Sequence, residues 1–518
     1  MEISGFSSCS INSLNGVRSD MQTAAARPAA ESETSVPVQG DKISLGTEGK
    51  SEGTIPLRIL HINDVHGAVA PDCGKGGLAK AATVIERERE NAPGQVLTLN
   101  AGDLAEGSMV SYLTKGAVVT EAMAEIGFDA IEPGNHDFAW GQETLQGMLA
   151  DTKAPILNAS ITRDDGTTFG EPIMIKDVGG VKIGMVGLDV EDMSRYVTAD
   201  KLEGLHFGSS AETLKEYIPK MKEAGADVIM VLSHIGFDED QKIAEQFPEI
   251  DVIVGGHSHT ELPEGHYVGN TLIVQTGTKG QFVGEVDLDL DLGTKKIANA
   301  QARLIPIDES IEPDPEVSAI IQAAADKVAD VGSKVMGQAA ETLHYSHSGA
   351  AKINQIHADS VLQATGADIA LVSCRNPRGN IEKGEVTYEK LFNSFPHTEE
   401  DIVIMKCPGR LLLKEMESRV KDGGRGPATP AGFTYTYDVS KPDGERIVDV
   451  RMDDGSKFDP DREYTVATTI SMARKSTFKE VADKKIFGSS QEVFMDYFAA
   501  SDDAWKDNPD NRVTKLGA

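Results

Sequence analysis

Residues 57–67 read LRILHINDVHG. The apolar run 57–62 stops at the turn-forming Asn63, and Asp64 and His66 follow at once. Four more segments repeat this plan. QVLTLNA (95–101) runs into Gly102-Asp103, FDAIEP (128–133) into Gly134-Asn135-His136-Asp137, DVIMVLS (227–233) into His234, and DVIVGG (251–256) into His257-Ser258-His259. Short apolar runs bounded by Gly, Pro and Asn are the pattern of buried strands. KIGMVGL (182–188) is a sixth run of this kind, and segments 78–90 and 211–224 carry helical patterning between the runs. Strands alternating with helices give an α/β domain, whose ligands bind beyond the carboxyl ends of the strands. The polar motifs stand at those ends.

Asp64 with His66, and His257 with His259, are spaced by two, so an extended chain would project each pair to one side. The Gly255-Gly256 pair is expected to let the backbone turn sharply. Of the twelve histidines, five (His66, His136, His234, His257, His259) fall at strand ends. Taken singly, an HxH is ordinary surface polarity and an Asp after a strand is a turn former or helix cap. Five such pieces in strand-end register converge on one crevice, which favours a metal site. A set of Asp, Asn and His without thiolate suits Zn, Mn, Fe or Co. His61, His206, His266, His344 and His347 are assigned to packing or solvent.

The chain has 518 residues, more than one hydrophobic core usually supports, so two folded domains and a tail are expected. Lys and Arg number 50 against 82 Asp and Glu, a formal charge of -32 that argues against a nucleic-acid polymer as partner. A small phosphorylated substrate would need its charge met locally, by metal ions or a few Arg residues. No apolar run reaches the roughly 18 residues of a membrane-spanning helix. Cys9, Cys73, Cys374 and Cys407 are scattered, without the spacing of a zinc knuckle or a disulfide framework. Residues 1–54 are rich in Ser, Gly, Ala, Thr and Glu, show no basic segment leading into an apolar one, and read as a disordered tail.

Past Asp287 the sequence gives a strand pair and then a Pro- and acid-rich passage that marks a boundary. We place the first domain at 55–310, a linker helix within 311–337 (helical patterning over 316–335), and a second α/β domain at 338–518. In the second, ADIALVS and DIVIMKC read as strands, 411–420 as a helix, and FTYTYDVS with ERIVDVRM as an antiparallel pair.

The ordered set D-x-H-G, G-D, G-N-H-D, H and G-G-H-S-H resembles the calcineurin-like metallophosphoesterase superfamily. The two-domain layout resembles its 5'-nucleotidase/UDP-sugar hydrolase branch, which includes bifunctional 2',3'-cyclic-nucleotide phosphodiesterases. The resemblance covers about residues 56–518, and in the second domain rests on GADIALVS, EVTYEKLF, FTYTYDVS and FDPDREYTVATT. It implies a four-layer αββα sandwich joined by a helix to a C-terminal α/β substrate domain. It also implies two divalent metal ions, one on Asp64, His66, Asp103 and His259, with Asp103 bridging to a second on Asn135, His234 and His257. Water would attack phosphorus in line, and His136, next to Asn135, would stabilise the transition state or leaving group. The implied substrates are nucleotides or nucleotide sugars, cleaved at a phosphomonoester or pyrophosphate bond. A cyclic-nucleotide phosphodiesterase, or a metal-binding protein of weak turnover, are the alternatives.

Three departures from the family pattern bear on this. The acid that follows the motif His by three residues is Ala139 here, so either another carboxylate orients His136 or turnover is low. The glycine-rich phosphate loop reads Ser373-Cys374-Arg375-Asn376-Pro377-Arg378, in which Arg378 matches the motif Arg and Arg375 is additional. The base-stacking loop reads Arg474-Lys475-Ser476-Thr477-Phe478, and Phe478 is either a stacking residue or a plain core residue. The second stacking position falls in GGRGPATPAG (423–432), which has no aromatic.

Overall fold

The computed structural model describes residues 53–71, 74–396, 400–475 and 477–517. The tail expected over 1–54 lies outside the described residues save for Gly53 and Thr54, and Cys9 and Cys73 lie outside them too. Thr54 already belongs to the first strand, Thr54–Ile62.

Two sheets make the N-terminal half. The five-stranded sheet centres on Thr54–Ile62, parallel to Gln95–Ala101, which is parallel to Ala130–Glu132. On the other side Phe282–Asp291 and Lys296–Pro306 add an antiparallel pair. The six-stranded sheet has Val181–Asp189, Val228–His234, Val252–Val254 and Thr271–Val274 in parallel, with antiparallel strands at both edges. Strand alternation sorts the side chains. Leu57 and Ile59 point into a core shared with Leu97, Leu99, Met230, Leu232 and Val252 between the two sheets, while Leu60 and Ile62 point to a second core. That second core is closed by helices Leu78–Glu90, Ala117–Ile126 and Gln142–Asp151. Helices Ser210–Glu223 and Phe237–Gln246 cover the far face of the second sheet. The layers therefore run helix, sheet, sheet, helix. Each buried Leu, Ile or Val contributes about 1.5–3 kcal/mol by leaving water, so these alternating runs fix strand register strongly.

The helix Pro315–Gly332 follows, capped by Asp314, whose carboxylate accepts from Val317 N at 2.8 Å. It ends three residues before the patterned segment does, because Val335 already pairs with Thr387 in a two-stranded sheet. The expected boundary at 338 falls inside that strand, Val335–Ala339. The C-terminal half holds a five-stranded sheet ordered 428–431, 369–373, 463–469, 401–408, 484–489, with helices Lys352–Thr365 and Gly409–Val420 packed on it. Phe433–Asp438 and Ile447–Met452 pair antiparallel. The halves share a core: Met109 packs with Val328, Leu343 and Phe392, and the Tyr112 and Phe392 rings lie 5.5 Å apart. No helix among the described residues is long and apolar enough to cross a membrane.

Candidate active site

The loops that leave the central strands are tied to one another. Asp64 N donates to Gly102 O and His66 N to Asp103 O, each at 2.9 Å, which carries the parallel ladder past the strand ends. The side chains do not project by the period-two alternation of a strand, because these residues are not extended. Asp64 (φ 51°), His66 (50°), Asp103 (54°), His257 (72°) and His259 (54°) all occupy the left-handed region. Asp and His enter that region more readily than most residues, yet each instance costs about 1 kcal/mol or more. The glycine expectation also changes. Gly255 and Gly256 do not have positive φ; a Cβ on Gly256 would collide with the Ala101 carbonyl and crowd His234 Nδ1.

The ligand atoms of Asp64, His66, Asp103 and His259 lie within 4.8 Å of one another, and so do those of Asp103, His234 and His257. Asp103 belongs to both groups. Its Oδ2 is 3.7 Å from His66 Nε2 and 3.2 Å from His234 Nε2. His259 Nε2 is 3.3 Å from Asp64 Oδ1 and 3.0 Å from His66 Nε2. Two imidazole nitrogens that close repel unless a cation or a shared proton lies between them.

Asn135 Oδ1 is buried without a hydrogen-bond partner, and the buried Asp103 Oδ2 and His234 Nε2, 3.2 Å apart, have none but each other. Buried polar atoms of this kind are expensive, and ligation by a cation would satisfy all three. Asn135 sits in the short helix Asn135–Trp140, whose His136 N donates to Asp103 Oδ1 at 2.8 Å. All seven residues read from the motifs as metal ligands thus surround one region, and the donor set fits a metal.

Electrostatics agree with that fit. Burial opposes ionisation of Asp103, but His234, His136 and His66 outweigh it and hold the carboxylate well below its ordinary value. Burial likewise opposes charge on His234, and Asp103 and Asp64 outweigh it, so this corner calls for a positive charge that a proton or a metal can supply. Burial pushes His66 down to about 4, and burial with the adjacent His234 does the same for His257. Both rings therefore keep a lone pair at neutral pH.

Outer partners set the ring orientations. His234 Nδ1 lies 2.6 Å from Ala101 O and His66 Nδ1 3.2 Å from Glu106 O, so in each ring Nδ1–H donates and Nε2 faces the ligand cluster. His257 Nε2 is 3.1 Å from the Tyr196 hydroxyl, which leaves Nδ1 for a metal. Asp137 accepts from Leu104 N and Ala105 N on one oxygen and from Gly134 N on the other. Burial and nearby Asp103 push it up to about 7 against those donations. His136 Nδ1 is 2.7 Å from Glu106 Oε2. Glu106 and Tyr196 belong to no motif in the sequence; only the fold brings them here.

The substrate residues fare differently. Phe478 is fully buried in the C-terminal core, so it presents no face to a base, and the core-residue alternative describes its position. Arg375 and Arg378 are exposed in the C-terminal half, close enough to disfavour, after burial, a charge on His347. Arg375 Nε donates to Arg425 O at 3.1 Å. The small pocket beside His136 is lined by Tyr196, Val197, Thr198 and Lys201, and Arg474 reaches it by donating to Val197 O.

Residues 57–261 match the family model described as calcineurin-like phosphoesterase. Residues 57–261 thus form a domain of the calcineurin-like phosphoesterase family. Residues 332–479 of the chain match a second model, 5'-nucleotidase, C-terminal domain, so the two-domain architecture is the one the motifs imply. Endonuclease YhcR of Bacillus subtilis (strain 168) is 28% identical over 459 residues, which cover 81% of this chain and 37% of YhcR. The chain thus spans little more than a third of that relative's length. Snake venom 5'-nucleotidase of Naja atra is 27% identical over 456 residues, covering 77% of this chain and 85% of that protein. The structure of a putative 5'-nucleotidase from Staphylococcus aureus superposes with a TM-score of 0.78 at 20% identity, over 89% of this chain and 100% of that one; the likeness is one of fold.

Proposed function

We propose that this phosphoesterase hydrolyses phosphate esters at a centre of two divalent ions, releasing phosphate from nucleotides or cleaving the pyrophosphate of nucleotide sugars. The observation that carries the reading is Asp103, which belongs to both groups of clustered ligand atoms and has its Oδ2 buried among them. Asp64, His66, Asp103 and His259 would hold one ion, and Asp103, Asn135, His234 and His257 the other. Such a pair supplies a lowered water pKa and offsets charge on the phosphoryl and leaving oxygens. The chain's own part is to position. The fixed rings of His66 and His234 keep their Nε2 atoms aimed inward, Tyr196 orients His257, and His136 acts through Nε2 on the leaving oxygen.

The nucleotide assignment is supported by the naming of Naja atra's relative as a 5'-nucleotidase and by the second family match. A formal charge of -32 supports a small substrate over a nucleic-acid polymer, although YhcR carries the name endonuclease. A second reading, a phosphodiesterase acting on 2',3'-cyclic nucleotides, follows from the same two-ion chemistry, which serves mono- and diesters alike. A third, a binding protein with weak turnover, was motivated by Ala139. Glu106 beside His136 weakens that motive.

Phosphate release from AMP by the manganese-loaded protein, with a chelated control and a bis-aryl phosphodiester in parallel, separates the readings. Metal-dependent release from AMP is expected. Cleavage of the diester with AMP inert would replace the nucleotidase reading by the phosphodiesterase one, and inertness toward both would overturn hydrolysis altogether.

A further inference from the structure

We propose that Glu106 is the positioning residue of His136, supplying from the loop after strand Gln95–Ala101 the carboxylate that position 139 lacks. The inference rests on the hydrolase reading above for its consequence, but its geometry stands independently. Glu106 Oε2 lies 2.7 Å from His136 Nδ1, and the carboxylate is all but buried, with 3% side-chain exposure. A buried carboxylate so close to an imidazole makes a charge-assisted hydrogen bond, places the Nδ1 proton, and leaves Nε2 as the nitrogen that acts on substrate.

The nearest rival in the sequence, Asp137, is engaged elsewhere. Both its oxygens accept backbone N–H groups, from Leu104, Ala105 and Gly134. Those bonds stitch the 104–106 loop to the short helix carrying His136, so Asp137 holds Glu106 in register with the ring. Gly107 fixes the same loop from the other side, since a Cβ there would collide with the His66 carbonyl. Glu106 also uses its main chain: its carbonyl accepts from His66 Nδ1 at 3.2 Å. One residue therefore orients a metal-ligand ring through its backbone and the neighbouring His136, 4.9 Å away ring to ring, through its side chain. Substituting the side chain alone leaves the His66 contact in place.

Ala139 lines the same small pocket as Glu106 and His136, so a carboxylate introduced there faces the same ring. This gives a relocation test with Glu106→Gln and the double variant Glu106→Gln/Ala139→Asp, in the full chain. Glu106→Gln should lower kcat about 10- to 100-fold for an ester with a poor alkoxide leaving group, with KM little changed, and far less for an aryl ester that departs unaided. The double variant should recover most of the loss. An equal loss on both esters, an unchanged kcat, or no recovery at position 139 would overturn the positioning role.

A second readout needs no turnover. In the zinc-loaded chain labelled with nitrogen-15, the His136 Nδ1 proton, assigned by its absence in His136→Asn, should resonate far downfield. It should move upfield in Glu106→Gln and return in the double variant; an Nδ1 proton indifferent to Glu106 would refute the contact. If the wild type releases phosphate from no ester, the hydrolase reading fails while this spectrum still decides the contact.

Discussion

Five of the proposed metal ligands hold backbone conformations that their side chains do not favour, and the surrounding loops must over-determine them. Their strain is offset by neighbours such as Asn63, whose amide donates to Asp64 and to Gly277 O while its oxygen accepts from Thr276. His61, two strand positions before Asn63, shows a different cost. It is buried between the sheets, and burial pushes its pKa down to about 3. In the unfolded chain it takes a proton near its ordinary value of 6.5, while the folded chain stays neutral until about 3. Stability should therefore fall as pH drops through that window, by up to about 1.4 kcal/mol per pH unit through this group. Urea unfolding of wild type and His61→Gln between pH 7 and 4 should show a shallower loss in the variant; parallel slopes would contradict it. At this scale the motifs made the ligand types legible, since each is a short local pattern. Glu106 and Tyr196 were not legible, because their partners lie 30 and 61 positions away and no local pattern marks them.

Strands and helices with strong periodicity stand where the pattern puts them: Leu78–Glu90 and Gln95–Ala101 match residue for residue. Their apolar positions decide burial without help from the rest of the chain. The turn between Val252–Val254 and His257 depends on glycine through close packing and not through a positive φ. Gly256 is needed for close approach to the neighbouring strand end, a tertiary fact that no turn rule contains. Gly256→Ala should displace His234 and lower metal affinity about 10- to 100-fold, as loss of an orienting contact does. Titration of the apo-protein with zinc checks this, and unchanged affinity would show that the loop can yield.

Across the whole molecule, the two halves meet through Met109, Tyr112 and Phe392, while Arg474 of the second half donates to the carbonyl of Val197, a residue lining the pocket beside His136. The substrate end was the least legible part. Loop position aligns Arg375, Arg378 and Phe478 with the family pattern, but it does not fix where a side chain lies relative to another domain. The global charge of -32 acts at this scale too. Incubation with single- or double-stranded DNA at low salt should give no cleavage under conditions that release phosphate from a mononucleotide, because a long polyanion meets repulsion over most of the surface.

The proposed pair of ions joined by Asp103 can be counted as metal content per chain. After loading with manganese or zinc and removal of excess, wild type should retain two ions per chain. Asp103→Asn, folded by circular dichroism, should retain at most one and lose nearly all phosphate release. Two tightly held ions in Asp103→Asn, or never more than one in wild type, would contradict the account.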